Sequence, residues 1–176
     1  MRVVGDFVFF AEDNESGMAS ISRLDIRDGA KRRIVSNVNG ALGLSPDGRW
    51  IVAAVPVRGG SGPVMSVAYP LDGGAPVQIC SAICTARWGL SGKYIYLSFL
   101  GAGDAGVATT FAAPLAPRQL LPHLPPEGLT SPEQAEQMPG WLAIEQPENI
   151  VPGTTPSHYA FTRQVVHRNL YEIPIR

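Results

Sequence analysis

The chain has 176 residues, of which 45% are hydrophobic and 16% are charged, so it is long enough for one domain with a core and too short for two ordinary domains. Its 14 basic and 15 acidic residues leave a net charge of -1, which excludes the strong positive field that attracts nucleic acid or an anionic membrane. No apolar run approaches the roughly 20 residues that span a bilayer, so we expect a soluble chain without direct membrane insertion.

The first 38 residues predict three short strands, at residues 6–11, 19–26 and 32–35. A polar loop separates the first two, and the turn at residues 27–29 separates the last two. The 19 Gly and 16 Pro residues of the whole chain also favour many turns between short strands. Residues 2–4 lie ahead of these strands and are the candidate segment for completing the last sheet of a ring from the opposite terminus.

An internal repeat follows. Residues 44–52 align without a gap with residues 88–96, at an offset of 44 residues, and the alignment pairs Gly48 with Gly92. Asp47 and Gly48 lie between two apolar runs, which predicts a tight hairpin turn, because glycine accepts the positive φ that such a turn demands. The repeat therefore predicts two copies of one structural unit.

The runs that follow these turns, residues 50–55 and 94–100, are apolar on both faces. A strand of a sheet that is covered on one side alternates apolar and polar residues, so these runs predict strands whose two faces are both covered. Inner strands are predicted ahead of the turns, at residues 41–44 and 86–88. Two further strands follow in each unit, and their predicted ranges are 64–71 and 76–80 in one unit, and 107–115 and 118–121 in the other.

A Pro-rich insertion interrupts the pattern at residues 123–139. Ser131 is followed by Pro132 and, three residues after the Ser, by Gln134, which is the pattern of a helix N-terminus. We expect a short helix over about residues 132–138 that serves as a lid or edge cover against the third unit.

The remaining residues, 140–176, predict a fourth unit without its outer strand, with an inner strand at residues 141–144 and a last hairpin formed by residues 158–163 and 169–173. Units of about 44 residues with about four strands are typical of propeller blades. The sequence thus predicts an all-β fold, a β-propeller or partial propeller of about four blades of antiparallel strands. The predicted blades are residues 1–38, 39–82, 83–122 and 140–176.

The Leu-Ser-Pro-Asp-Gly-Arg segment at residues 44–49 resembles the repeat of TolB-like, WD40-like bacterial β-propellers. The ending, from residue 151 onwards, resembles more narrowly the C-terminal sensor propeller of bacterial membrane-anchored serine/threonine protein kinases. In that family the propeller is usually larger and follows a kinase domain and a membrane helix. The resemblance implies a signalling-associated binding module in an extracytoplasmic location. A free-standing fragment would instead be cytoplasmic.

The pair Cys80 and Cys84 lies between an outer strand and the next inner strand, where a turn could bring the two sulfurs to the spacing of a disulfide. In an oxidising compartment the pair would form that bond, and in a reducing cytoplasm it would remain two small buried thiols. The family resemblance favours the disulfide, because it implies an extracytoplasmic domain.

One residue is a candidate for contact with a ligand. Arg87 lies on the predicted inner strand of the third unit, where a side chain can line the central channel of a propeller. We expect it to be a channel-facing polar contact.

No catalytic, cofactor-binding or metal-binding constellation is found in the sequence. Residues 101–106 match G-x-G-x-x-G but precede a strand-like segment rather than the helix that a phosphate site needs. Residues 167–170 resemble a kinase catalytic loop, yet Asn169 replaces the catalytic Asp. The histidines, His123, His158 and His167, lack metal-ligand spacing.

The sequence therefore predicts a non-catalytic module that binds a protein, peptide or glycan and carries no cofactor. Two alternatives stay open. One is a propeller enzyme of the lactonase or lyase type with a channel-bound metal. The other is a structural fragment completed by missing blades or by a second copy, since an open blade edge favours association into a homo-oligomer.

Overall fold

The computed structural model describes residues 1–13, 18–56, 64–81, 84–100, 108–145 and 150–161. These residues form four antiparallel sheets and one short helix. The hairpin loop predicted at residues 101–106, the strand predicted at residues 169–173, and Asn169 and His167 lie outside this range. No helix within it is long and apolar enough to cross a membrane.

Each sheet runs in chain order from its first strand to its last. Sheet 1 contains β1 (Arg2–Val4), β2 (Phe7–Asp13), β3 (Ala19–Asp25) and β4 (Lys31–Val38). Sheet 2 contains β5 (Ala41–Leu44), β6 (Trp50–Pro56), β7 (Val64–Pro70) and β8 (Val77–Cys80). Sheet 3 contains β9 (Cys84–Trp88), β10 (Tyr94–Leu100), β11 (Ala108–Pro114) and β12 (Leu142–Ile144), and α1 (Pro132–Glu136) lies between β11 and β12. Sheet 4 contains β13 (Ile150–Pro152) and β14 (Tyr159–Phe161).

The turn between the first and second strands is closed by an equivalent backbone hydrogen bond in sheets 2, 3 and 4. The closing hydrogen bonds are Ser45 N–H to Trp50 O at 2.9 Å, Gly89 N–H to Tyr94 O at 2.9 Å, and Gly153 N–H to His158 O at 2.8 Å. Gly48 and Gly92 have φ angles of 70° and 67°, which is the left-handed region that glycine enters without a steric penalty. The internal repeat predicted from the sequence is therefore present in the backbone.

The sheets pack against one another through both faces of their middle strands. In β6, Ile51 is 2% exposed and packs in a cluster with sheet 1, whereas the adjacent Val52 is 0% exposed and packs in a cluster with sheet 3. In β10, Leu97 packs towards sheet 2 and Tyr96 packs in a cluster with Ile150 of sheet 4. Antiparallel sheets stacked in this way are the blades of a β-propeller, and the predicted fold class is confirmed.

The boundary between the third and fourth units differs from the prediction. Residues 118–121 do not form a strand: Arg118 has a φ of 66° in a turn, and the Leu120 carbonyl accepts a hydrogen bond from the Trp88 indole at 2.7 Å. The fourth strand of sheet 3 is instead β12, which pairs with β11 and buries Ile144. The segment assigned to the inner strand of the fourth unit thus belongs to the third, and sheet 4 begins at Ile150.

The helix in the insertion is confirmed, with Ser131 as its N-cap: the Gln134 N–H donates to Ser131 Oγ at 3.4 Å, and Gln134 Oε1 accepts from the Thr130 N–H at 2.8 Å. The helix ends at Glu136, two residues earlier than expected.

The insertion also covers the outer edge of sheet 2. Leu129, which is fully buried, forms a parallel bridge with Cys80 at the end of β8. The Leu129 N–H donates to the Ile79 carbonyl, and the Ser81 N–H donates to the Leu129 carbonyl, both at 2.9 Å. Since an uncovered edge of this kind can pair with another chain, the insertion protects sheet 2 as well as packing on sheet 3.

At the N-terminus, β1 pairs with β2. Residues 2–4 therefore start the first sheet rather than complete the last one. Association through an open edge stays a prediction.

Two glycines test how tightly the insertion fits. Gly128 and Gly29 have φ angles of 71° and 72°, but a Cβ on Gly128 would lie 2.9 Å from backbone atoms of Ile79, whereas a Cβ on Gly29 would meet nothing within 4 Å. We expect Gly29→Ala to lower the free energy of unfolding by about 1 kcal/mol, the cost of a left-handed alanine. Gly128→Ala should cost at least about twice as much, since it also forces the backbones apart. Urea unfolding followed by circular dichroism measures both, and equal costs would contradict the close contact.

Candidate functional site

The first strands of all four sheets meet at one cavity. Its volume is about 520 Å³, and residues 3–4, 43–46, 87–90 and 151–152 line it. These segments belong to β1, β5, β9 and β13 and to the turns that follow β5 and β9. Within the described part of the chain, each of these strands lies at the edge of its sheet, so its second edge carries backbone N–H and C=O groups that no described strand pairs. The cavity therefore has the position of the central channel of a propeller.

Close approach of sheets 2 and 3 forms part of the cavity wall. A Cβ on Gly43 would lie 3.3 Å from the Ala86 carbonyl oxygen, so a larger residue at position 43 would push the two first strands apart. The absence of a side chain at Gly43 thus allows β5 and β9 to lie next to each other.

Arg87 brings a positive charge to the cavity. It is an exposed residue of β9, and among the described residues that line the cavity it carries the single ionisable side chain. Within the described part of the chain, four ion pairs are present, and none of them includes Arg87. The structure thus places Arg87 in the cavity wall, and its contact with a ligand stays a prediction.

Apolar side chains surround this charge. Val3 of β1 is 60% exposed, Leu90 after β9 is 78% exposed and Val151 of β13 is 62% exposed, and all three line the cavity. Exposed apolar groups from three sheets that converge on one opening mark a binding site more often than single scattered residues do. Sequence reasoning missed these residues, because they are separated along the chain and each is unremarkable by itself.

Tyr96 lies against the same wall from inside the protein. It is 2% exposed, pairs in register with Arg87 and so lies on the same face of sheet 3, and its hydroxyl has no hydrogen-bond partner in the described structure. A Cβ on Gly89 would lie 2.9 Å from Tyr96 Cε2, so the ring occupies the space that a side chain at position 89 would take. Burial, with a smaller contribution from Tyr94, raises the pKa of Tyr96, which keeps the hydroxyl protonated.

The Ser45 hydroxyl, by contrast, makes its hydrogen bonds within its own turn. It donates to Asp47 Oδ1 at 2.7 Å and accepts from the backbone N–H groups of Arg49 at 3.1 Å and Trp50 at 2.9 Å. The residue is 1% exposed. The serine of the repeat motif thus holds the turn that forms one side of the cavity.

Cys80 and Cys84 are joined by a disulfide in the structure, with their Cα atoms 6.4 Å apart. Both residues are buried. The bond links the end of β8 to the start of β9 and therefore fixes the connection between sheets 2 and 3. The redox state of this pair in the cell stays a prediction.

No cluster of three or more His, Cys, Asp or Glu residues that could hold a metal ion occurs in the described ranges. The side chains of His123 and His158 are both exposed, in the insertion and in the turn before β14.

No protein-family model matches this chain, and no curated protein matches it. Among solved structures, it is similar to the β-propeller domain of the Trilobed protease from Pyrococcus furiosus, which is described as having an open velcro topology. The two share 15% sequence identity with a TM-score of 0.49, and the match covers 64% of this chain and 36% of that one. The propeller assignment made above depends on the sheets themselves, namely their strand order, their stacking and their shared cavity.

The turn hydroxyl provides a stability prediction. Ser45→Ala removes the hydrogen bond that the half-buried Trp50 N–H makes, so the free energy of unfolding should fall by about 1–3 kcal/mol. The matched control is Ser91→Ala in the equivalent turn of sheet 3, where the exposed hydroxyl accepts a single bond from the Lys93 N–H at 3.3 Å. This change should cost less than about 0.5 kcal/mol. Thermal and urea unfolding provide the comparison, and equal losses would show that Ser45 does not hold its turn.

The disulfide provides a second prediction. Protein purified from an oxidising compartment and unfolded without reductant should take up no iodoacetamide at Cys80 or Cys84, whereas reduced protein should take up two equivalents, as measured by intact mass. Closing so short a loop contributes about 2 kcal/mol in the chain-entropy description, so reductant should lower the stability of the wild type by this amount. The double variant Cys80→Ala/Cys84→Ala is the control, since its stability should not respond to reductant. Alkylation of the unreduced protein would contradict the bond.

Proposed function

We propose that this chain is a non-catalytic binding module that takes its ligand at the cavity where the four first strands meet. The observation that carries the proposal is the composition of that cavity: exposed Val3, Leu90 and Val151 around Arg87, which makes no ion pair with any residue that the structure describes. A volume of about 520 Å³ lies within the range of roughly 300–1,000 Å³ that is typical of ligand sites.

The architecture supports recognition by a rigid scaffold. Stacked sheets hold the turns and first strands at fixed positions, and binding residues are often carried by loops on such scaffolds. Since a propeller fold hosts many functions, the argument for binding depends on the cavity and not on the fold alone.

The sequence resemblance supports a more specific version of the proposal. A TolB-like, WD40-like propeller similar to the sensor propellers of bacterial serine/threonine kinases would bind a peptide, glycan or partner protein as part of a signalling protein. An extracytoplasmic location would agree with the disulfide between Cys80 and Cys84.

Two exposed apolar residues allow a direct test. Leu90→Asp places a carboxylate at the mouth of the cavity, whereas Ile26→Asp makes the same kind of change at a 57% exposed residue that does not line it. The wild type is screened against peptide and glycan arrays and a panel of purified bacterial envelope proteins, and the affinities of the hits are then measured for both variants. Leu90→Asp should weaken binding by at least about tenfold, because it buries a charge against an apolar ligand surface, and Ile26→Asp should not.

Three outcomes would overturn this proposal. Folded wild-type protein that binds nothing in the screen would remove its support, as would equal losses in the two variants. A stoichiometric divalent metal in elemental analysis would favour the propeller-enzyme alternative. Light scattering coupled to size-exclusion chromatography reports on the other alternative, since a stable oligomer would favour completion of the ring by a second copy.

A further inference from the structure

We propose that the cavity recognises the carboxylate of a small molecule with an apolar body, with the Arg87 guanidinium as its donor. This inference rests on the proposed function and specifies the chemical class of the ligand. It follows from the charge of the cavity and from the apolar side chains at its mouth.

The charge of the cavity fits one negative charge. Arg27, Lys31 and Arg49 form ion pairs with carboxylates of the chain, whereas Arg87 has no such partner in the described structure. A guanidinium presents a planar set of donors that matches a carboxylate in a bidentate arrangement. Since Arg87 is the one cation among the described residues that line the cavity, its charge matches that of a carboxylate better than that of a phosphate dianion.

The mouth of the cavity requires an apolar body on the same molecule. Val3, Leu90 and Val151 expose more than half of their surface, and a ligand that covers them removes this apolar surface from water. A small ion such as acetate would neutralise Arg87 but leave these side chains exposed. The favoured ligand therefore joins a carboxylate to an apolar chain.

The test uses octanoate as the probe and the full chain as the protein. Octanamide has a similar length without the charge, and acetate has the charge without the chain, so each should bind at least about tenfold more weakly than octanoate in isothermal titration calorimetry. Arg87→Gln should weaken octanoate binding by at least about tenfold, and Arg87→Lys should lose less, since it keeps the charge but not the bidentate geometry. Arg32→Gln, an exposed residue of β4 outside the cavity, is the matched control and should leave the affinity unchanged.

Equal octanoate and octanamide affinities, or an unchanged affinity in Arg87→Gln with circular dichroism confirming its fold, overturn the carboxylate assignment.

A short peptide identifies the source of the carboxylate. Acetyl-Ala-Leu-Leu with a free C-terminal carboxylate has the same chemistry as octanoate, and its C-terminal amide is the control. Tighter binding of the peptide acid than of octanoate assigns the site to a peptide C-terminus, and the reverse order assigns it to a free carboxylic acid.

The two proposals fail in different ways. If octanoate and the peptide acid do not bind but hits from the arrays are lost in Leu90→Asp, the carboxylate inference is wrong and the proposed function stands. If neither the probes nor the array ligands bind the folded protein, both are wrong.

Discussion

The burial of both faces of the middle strands is the constraint on which the rest of this structure depends. Ile51 and Val52 are neighbours in β6 and point to opposite faces, yet both are buried, one against sheet 1 and the other against sheet 3. A strand of this kind is stable only between two other layers. Each inner sheet therefore needs a sheet on either side, and the stack of sheets follows from this need.

The cavity is a consequence of the same stacking. In each sheet the first strand forms one edge. When the sheets are stacked in chain order, these edges come together and surround a common space. The turns next to this space are fixed by local chemistry, through the Ser45 hydroxyl in sheet 2 and the left-handed glycines Gly48 and Gly92 in sheets 2 and 3. The scaffold thus determines where Arg87 and the apolar rim lie.

Sequence reasoning succeeded where a pattern extended over many residues. The 44-residue repeat located β6 and β10 and the turns before them, and the cap at Ser131 located α1. It failed at short strands, because the three residues of β12 carry too little pattern to show which neighbour they pair with. Leu142–Ile144 pairs with β11 rather than with β14. This pairing buries Ile144 in a cluster with Tyr96 and Ala112. The location of Arg87 on β9 was predictable from the repeat, whereas its apolar neighbours in space were not.

The sequence by itself determined the class of structure: alternation, turn glycines and a repeat are local signals, and they specify all-β units of similar size. Only the tertiary structure decided which segments close each sheet, that Leu129 covers the edge of β8, and that Val3, Leu90 and Val151 converge around Arg87. The physical reason is that pairing and packing depend on contacts between residues far apart along the chain. Such contacts produce no periodic pattern in the sequence.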